Sequence, residues 1–195
     1  MTDAAAPRPW RCFVAVPLPD ALRRELQTWV DEVRGDGGEA AWRWVDPEDW
    51  HITLAFLGAT SPDLVPGIVD HLSGDLAGRD GFSVAAGGFG AFPGRSRARV
   101  LWYGIQDDRR LADLARGVRE TTGTDEAAPF RPHVTLARAR DRHGASLPSV
   151  PREPPAGEVP IDAVVLMRSH LGGGPARYEA LAEFQLRAIK AGAPA

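Results

Sequence analysis

Cysteine, lysine and long apolar runs are all scarce in this sequence. Cys12 is the only cysteine, so the chain can build neither an internal disulfide nor a cysteine zinc site, and Cys12 itself is expected in the core. No stretch approaches the roughly 20 consecutive apolar residues that a membrane helix needs. The N-terminus lacks the basic start and long apolar run of a secretory signal. We therefore expect a cytoplasmic protein with no membrane span.

An excess of positive charge is also missing, because the formal net charge is −3. A protein that coats nucleic acid non-specifically needs a broad basic surface, and this balance argues against one. Hydrophobic residues make up 44% and charged residues 25% of the 195, which is typical of a globular protein. We predict one bilobal domain over residues 11–190, between a disordered leader at 1–10 and a disordered tail at 191–195.

The order strand, helix, histidine-bearing strand occurs twice along the chain. The first copy is predicted as strand 11–16, helix 21–33 and strand 51–57, and the second as strand 99–105, a helix from 107 to 123 and strand 132–137. Asp20 is the expected N-cap of the first helix, and Gly58 is expected to close the first histidine strand. This weak duplication predicts an α+β fold of two similar lobes, related by a pseudo-two-fold axis.

The remaining elements are predicted from apolar periodicity and turn residues. They are a short strand 42–45, a turn 46–49, a helix from Ser61 to Leu76, a strand 82–89, a proline-rich loop 146–158, and two last strands, 161–166 and 178–186, separated by a glycine turn at 172–175.

One tetrapeptide pattern appears twice, as His51-Ile52-Thr53-Leu54 and as His133-Val134-Thr135-Leu136. Side chains alternate between the two faces of a strand, so the histidine and threonine of each copy point the same way. The aliphatic residues point the other way, into the core. A single histidine with a threonine two residues on is usually only a polar strand face, but two such copies make coincidence a poor explanation.

The paired motifs suit the chemistry of a phosphodiester. Its hydrolysis needs a base that takes a proton from water and an acid that protonates the leaving oxygen. Imidazole, with a reference pKa near ~6.5, can do either at neutral pH. We therefore predict that His51 and His133 are catalytic. Thr53 and Thr135 are predicted to bind the non-bridging phosphate oxygens and stabilise the developing charge.

These tetrapeptides resemble the signatures of the two-histidine phosphoesterase superfamily. The remainder of the chain resembles its LigT-like branch, the RNA 2′,3′-cyclic phosphodiesterases once called 2′-5′ RNA ligases. The segments that carry the resemblance are Phe13-Val14-Ala15-Val16-Pro17-Leu18-Pro19, Trp50 to Gly58, Arg99-Val100-Leu101-Trp102, Phe130 to Leu136 and Arg177-Tyr178.

The resemblance implies two lobes around a central cleft, each an antiparallel sheet with flanking helices. It implies hydrolysis of RNA 2′,3′-cyclic phosphate ends to 2′-phosphate ends without metal or other cofactor, and a weak reverse joining of RNA through a 2′-5′ bond. RNA ends or small cyclic nucleotides are the expected substrates, and no obligate protein partner is expected. The resemblance also favours His51 as the acid and His133 as the base, which the near-identical motifs do not decide.

Three further side chains are candidates for substrate binding. Arg131 shares the face of His133 if the strand extends that far, and could then bind phosphate; a solvated rim charge is the alternative. Phe92 and Trp102 could stack a base, although aromatic residues in strands are more often core. A basic rim for RNA or a solvated loop could be formed by Arg95, Arg97, Arg99, Arg138, Arg140 and Arg142.

Two other functions remain open. A catalytically silent module could hold nucleotides or RNA ends in the same cleft, although both motifs are intact. A metallohydrolase could use His51 and His133 as ligands, but the sequence has no clear third ligand at metal-type spacing unless Asp49 or Asp141 serves. We therefore expect no metal.

Overall fold

A computed structural model describes residues 8–35, 40–106, 109–124, 129–170 and 177–188. The strands are β1 (Trp10–Pro17), β2 (Trp42–Trp44), β3 (His51–Thr60), β4 (Phe82–Phe92), β5 (Val100–Ile105), β6 (His133–Ala139), β7 (Gly157–Ile161), β8 (Ala163–His170) and β9 (Arg177–Gln185). The α-helices are α1 (Asp20–Val33), α2 (Val65–Leu76) and α3 (Arg110–Thr122), and short 3₁₀ turns span Pro47–Asp49 and Pro62–Leu64.

All the named strands join one antiparallel sheet, in the order β7-β4-β5-β6-β3-β1-β8-β9, with β2 paired to the far end of β6. The sheet consists of two four-stranded halves that meet where β3 pairs with β6. These are the two histidine strands, so the pseudo-two-fold axis of the repeated element order passes between them. The predicted α+β fold with two antiparallel halves is confirmed.

Two of the helices, α1 and α3, cross between the halves. In α1, Trp29 packs edge-on against Phe89 of β4, with ring centroids 5.4 Å apart, although α1 follows β1 in the chain. In α3, the Arg119 Nε donates to the Leu54 carbonyl oxygen of β3 at 2.9 Å, although α3 follows β5. Each half thus buries its sheet under a helix that follows a strand of the other half. This exchange joins the two halves in one hydrophobic core.

Amphipathic patterning accounts for the helices. The apolar face predicted for α1, spaced three and four residues apart, is buried against the sheet. Asp20 is not the N-cap, however, because Pro19 occupies that position and Asp20 is already helical, where its carboxylate accepts a hydrogen bond from Arg23. Proline suits this place because it has no backbone N–H to leave unpaired.

Two strand predictions are wrong. β3 does not end at Gly58 but continues to Thr60, since Gly58 adopts φ 67° at an irregularity in the pairing with β1. The segment predicted as strand 161–166 is divided at Asp162, and β7 begins at Gly157, inside the predicted loop. Pro160 made this strand hard to recognise, yet β7 is an edge strand, where a missing N–H is tolerated.

Several predicted features lie outside the described residues. They are the helix start at Asp107-Asp108, the turn at 172–175, most of the leader and the tail at 191–195. Trp10, the last residue of the predicted leader, belongs to β1. Among the helices that the structure describes, none has the length and apolar character to cross a membrane.

Candidate active site

The two motifs occupy equivalent places in the sheet. His51 is the first residue of β3 and His133 the first of β6. In both strands the histidine and threonine are partly accessible, whereas Ile52, Val134 and the leucines that follow are buried in the core. The strand alternation therefore acts as predicted. We call the sheet face that carries the two histidines the histidine face.

The register between β3 and β6 brings the four motif side chains together. Ile52 pairs with Val134 in antiparallel sense. Continuing this register by one residue in each direction puts His51 opposite Thr135 and His133 opposite Thr53. The two histidines are then diagonal neighbours, which in regular sheets are about 7–8 Å apart. The arrangement is a rectangle with histidines on one diagonal and threonines on the other.

Both imidazoles are oriented by the same hydrogen bond. The Nδ1 of His51 lies 2.7 Å from the Asp49 carbonyl oxygen, and the Nδ1 of His133 lies 2.7 Å from the Arg131 carbonyl oxygen. A carbonyl oxygen only accepts, so each Nδ1 carries the proton and donates it. The Nε2 of each ring is therefore the atom that gains or loses a proton, as a catalytic acid or base requires.

The threonine hydroxyls are available to a ligand. Within the described part of the chain, neither Thr53 nor Thr135 uses its side-chain oxygen in a hydrogen bond to another protein group. Each lies on the histidine face beside the histidine of the other strand. Hydroxyl groups so placed can donate to the non-bridging oxygens of a phosphate.

Aromatic rings enclose His51. Phe13 of β1 lies 4.8 Å from the His51 ring between centroids, and Tyr178 of β9 meets it edge-on at 5.2 Å. Burial raises the pKa of the Asp49 carboxyl, against a lowering effect of the nearby Tyr178 backbone. Asp49 thus orients the His51 ring through its carbonyl oxygen, and its carboxylate lies near Tyr178.

Phe92 and Trp102 form a layered pair beside His133. Phe92 meets the His133 ring edge-on at 5.1 Å and packs on Trp102 at 5.4 Å. The Trp102 indole lies across Gly90, where a Cβ would come within 2.1 Å of the ring. Trp102 thus supports Phe92 from beneath, and its buried indole nitrogen has no hydrogen-bond partner among the described residues. Of the two predicted stacking residues, Phe92 has the place next to a catalytic candidate.

Burial lowers the pKa of both histidines. The pKa of His51 falls to about 4, chiefly because burial penalises the charged ring, although the Asp49 carbonyl raises it; the positive charges of Arg138 and His133 lower it further. The pKa of His133 is lowered by burial and by Arg138, against the raising effect of the Arg131 carbonyl. Both rings are therefore neutral at pH 7 in the unliganded protein.

Among the described arginines, Arg138 is the one whose charge acts on both histidines, and sequence reasoning placed it only in a basic rim. Its charge lowers the pKa of Tyr178 as well as those of both histidines, although burial raises the pKa of Tyr178 overall. A β-bulge explains why strand alternation missed it. Trp102 pairs with Thr135 but Leu101 pairs with Ala137, so β6 carries an extra residue and Arg138 returns to the histidine face.

The other residues predicted to bind a phosphate or a metal, Arg131 and Asp141, have different surroundings from the ones expected. Arg131 precedes β6, which begins at His133, so it does not continue that strand; its side chain is exposed and its carbonyl orients His133. Asp141 accepts from the backbone N–H of His143 at 2.7 Å. Among the residues that the structure describes, no three His, Cys, Asp or Glu side chains cluster as metal ligands do.

Sequence comparison places the chain among known proteins. A model of the family LigT like Phosphoesterase matches residues 16–102. The chain is 34% identical over 191 residues to the RNA 2′,3′-cyclic phosphodiesterase of Thermus thermophilus, covering 91% of this chain and 90% of the relative. It is 32% identical over 182 residues to the RNA 2′,3′-cyclic phosphodiesterase of Geobacillus stearothermophilus, covering 89% of this chain and 56% of that relative's length.

Solved structures agree. TT0787 of Thermus thermophilus superposes with a TM-score of 0.76 at 28% identity, covering 91% of this chain and 98% of that one. E. coli LigT complexed with 3′-AMP gives 0.74 at 27% identity, with the same coverage of 91% and 98%. Fold and paired motifs together define the class of two-histidine phosphoesterases. Within that class, the chain belongs to the LigT-like phosphoesterases.

Proposed function

We propose that this protein hydrolyses RNA 2′,3′-cyclic phosphate ends to 2′-phosphate ends, with His51 and His133 as the acid–base pair and without a metal. The observation that carries the proposal is the pairing of β3 with β6, which brings two Nδ1-anchored imidazoles to one face with both Nε2 atoms free to exchange protons. The relatives named RNA 2′,3′-cyclic phosphodiesterase support the substrate, as does the 3′-AMP complex of LigT.

The proposed reaction is an in-line displacement at phosphorus. One neutral histidine takes a proton from water through Nε2 as the water oxygen bonds to phosphorus. The P–O3′ bond breaks on the opposite side, and the other histidine, protonated on Nε2, gives its proton to O3′. We assign His133 as the base and His51 as the acid, following the family resemblance. If an RNA 5′-hydroxyl replaces water, the same steps form a 2′-5′ bond, which is the weak ligation that the resemblance implies.

Charge that develops on the non-bridging oxygens needs donors that are already in place. Thr53 and Thr135 supply hydroxyl groups on the free diagonal of the motif rectangle. Arg138 supplies a guanidinium, which can donate two parallel hydrogen bonds to a phosphate. Phe92 offers a ring edge and face beside His133 for the terminal base. Arg131 stays a candidate for a more distant phosphate contact.

The two alternative functions are less well supported. A metallohydrolase would need a third ligand beside His51 and His133, and among the residues that the structure describes no three His, Cys, Asp or Glu side chains cluster as metal ligands do. In a silent binding module, nothing would require both imidazoles to keep Nε2 free while Nδ1 is anchored. The composition, with one cysteine in 195 residues, also supports a reducing, cytoplasmic location for this proposed activity.

We expect the plot of activity against pH to be bell-shaped, with its maximum at one pH for kcat/KM and at a higher pH for kcat. The active form carries one proton on the pair, and kcat/KM reports the pKa values of the unliganded protein. Burial lowers both pKa values below 6.5, that of His51 to about 4, so kcat/KM should be maximal below pH 6.5. The bound phosphodiester anion favours the protonated ring, so the maximum of kcat should lie at higher pH. Steady-state kinetics across the acid and neutral range measure both, and a kcat/KM maximum above pH 6.5 contradicts the account.

Product analysis tests the proposed function itself. A short RNA ending in a 2′,3′-cyclic phosphate is incubated with the protein in excess EDTA, and the product is identified by ³¹P NMR. We expect turnover to survive the chelator and to yield a 2′-phosphate. Activity lost in EDTA and restored by zinc or manganese would favour the metallohydrolase, and binding without turnover would favour the silent module.

A further inference from the structure

A row of side chains on the histidine face leads away from the reaction centre. Phe92 of β4 pairs with Val100 of β5, which pairs with Arg138 of β6, which in turn pairs with Arg43 of β2. Arg43 lies on the histidine face because its neighbours in β2, Trp42 and Trp44, pack against the core. The row thus begins at the ring beside His133, passes the cation of the site and ends at a second arginine.

Arg43 and Arg138 are direct cross-strand partners, so their positive charges start from neighbouring positions on one face. Directly opposite residues on neighbouring strands have Cβ atoms about 4.5–5.5 Å apart, and like charges there are destabilising. In the ranges that the structure describes, neither guanidinium has a carboxylate within salt-bridge distance. A pair of this kind costs stability in the free protein, and an anion that bridges the two guanidinium groups removes the cost.

The surroundings of Arg43 are basic as well. The loop after β4 is tied to the turn after β6, where Ala98 and Ala145 exchange two backbone hydrogen bonds of 3.1 and 2.9 Å. Exposed arginines of this loop and turn are Arg95, Arg97, Arg99, Arg140 and Arg142. The nearby Asp141 carboxylate is used to cap the backbone N–H of His143. Because the chain as a whole carries a net charge of −3, this concentration of arginine is a local departure.

We propose that Arg43 binds the phosphodiester one nucleotide upstream of the cyclic end, so that the substrate is the end of an RNA chain and not a cyclic mononucleotide. This inference rests on the proposed function and adds a second phosphate subsite to it. The reacting phosphate lies between the histidines beside Arg138. The RNA strand then leaves the site along β6 toward β2, where Arg43 binds the next phosphate. The arginines of the adjoining loop attract the phosphates further upstream.

The test compares two substrates and two main variants. Uridine 2′,3′-cyclic monophosphate and a uridine trinucleotide ending in a 2′,3′-cyclic phosphate are each assayed with wild type and with R43Q. We expect wild type to prefer the trinucleotide in kcat/KM by about tenfold or more at low salt. In R43Q, kcat/KM on the mononucleotide should stay within about twofold while the preference for the trinucleotide is largely lost. The slope of log kcat/KM for the trinucleotide against log salt concentration should become shallower by about one in R43Q.

Two further variants exclude simpler explanations. R24Q removes an exposed arginine of α1, on the helix-covered side, and should keep the full preference, which separates a local subsite from a change in net charge. R43K retains the positive charge and should keep part of the preference for the trinucleotide. A thermal midpoint for R43Q no lower than that of wild type shows that folding is intact, as expected once the like-charge pair is gone.

Every outcome of these assays either supports the second phosphate subsite or contradicts it. Equal kcat/KM on both substrates in wild type, or an unchanged preference in R43Q, overturns the second subsite while leaving the proposed hydrolysis in place. If wild type hydrolyses neither substrate, the proposed function fails. The subsite is then decided by affinity for the 2′-phosphate trinucleotide against uridine 2′-monophosphate, where R43Q must again remove the advantage of the longer ligand.

Discussion

Alanine at His51 or at His133 is expected to reduce kcat/KM on a cyclic-ended RNA by at least about 10²-fold while the protein stays folded. Each substitution removes a proton-transfer group, and such groups contribute about 10²–10⁴-fold. The two Nε2 atoms share one reaction, so the double variant should lose far less than the product of the single losses. Single-variant kinetics with circular dichroism and thermal unfolding provide the measurement.

A histidine elsewhere in the chain provides a matched control. His71 is exposed on α2. H71A removes the same side chain without touching the histidine face, so it should keep wild-type kcat/KM within about twofold. Near-normal activity in H51A or H133A, with an unchanged circular dichroism spectrum, would rule out the two-histidine mechanism.

The sequence was sufficient to predict which motif side chains share a strand face, because strand periodicity is a strictly local property. A histidine and a threonine two residues apart must share a face, whatever the rest of the chain does. The same logic correctly placed Ile52 and Val134 in the core. Repetition of the motif then predicted that two such strands act together, and their pairing in the sheet agrees with this.

Features that depend on departures from regular structure could not be predicted. Arg138 reaches the histidine face through a β-bulge between Thr135 and Ala137, whereas simple alternation assigns it to the opposite face. β7 was not predicted because it contains Pro160. Proline is tolerated there because β7 is an edge strand, and the position of a strand in the sheet cannot be read from the local sequence.

Long-range contacts were equally beyond the local pattern. Tyr178 stood out only through the family resemblance, and no spacing rule brings a β9 residue against a β3 histidine. The crossing of α1 and α3 to opposite halves of the sheet was also unforeseen, because amphipathic spacing predicts which helix face is buried and not which strands it covers.

The two histidines differ in their surroundings, and this bears on their separate roles. His51 is enclosed by Phe13 and Tyr178, whereas His133 meets only the edge of Phe92 among described aromatic rings. Burial lowers the pKa of both histidines. The ring that serves as the acid must therefore become protonated when the phosphodiester anion binds beside it. In-line attack then demands that acid and base stand on opposite sides of phosphorus. The histidines should therefore respond differently to a change of leaving group.

Leaving-group dependence is accordingly the most direct test of the central claim that the two histidines transfer protons as acid and base. A nitrophenyl phosphodiester releases a stable anion and hardly needs an acid, so H51A should recover to within about tenfold of wild-type kcat/KM on that substrate. H133A should still be impaired by at least about 10²-fold, because water must be deprotonated whichever group departs. Rescue of H133A instead would exchange the two roles. Loss of the same factor in both variants on both substrates would contradict the claim, because the histidines would then contribute equally whether or not an acid is needed.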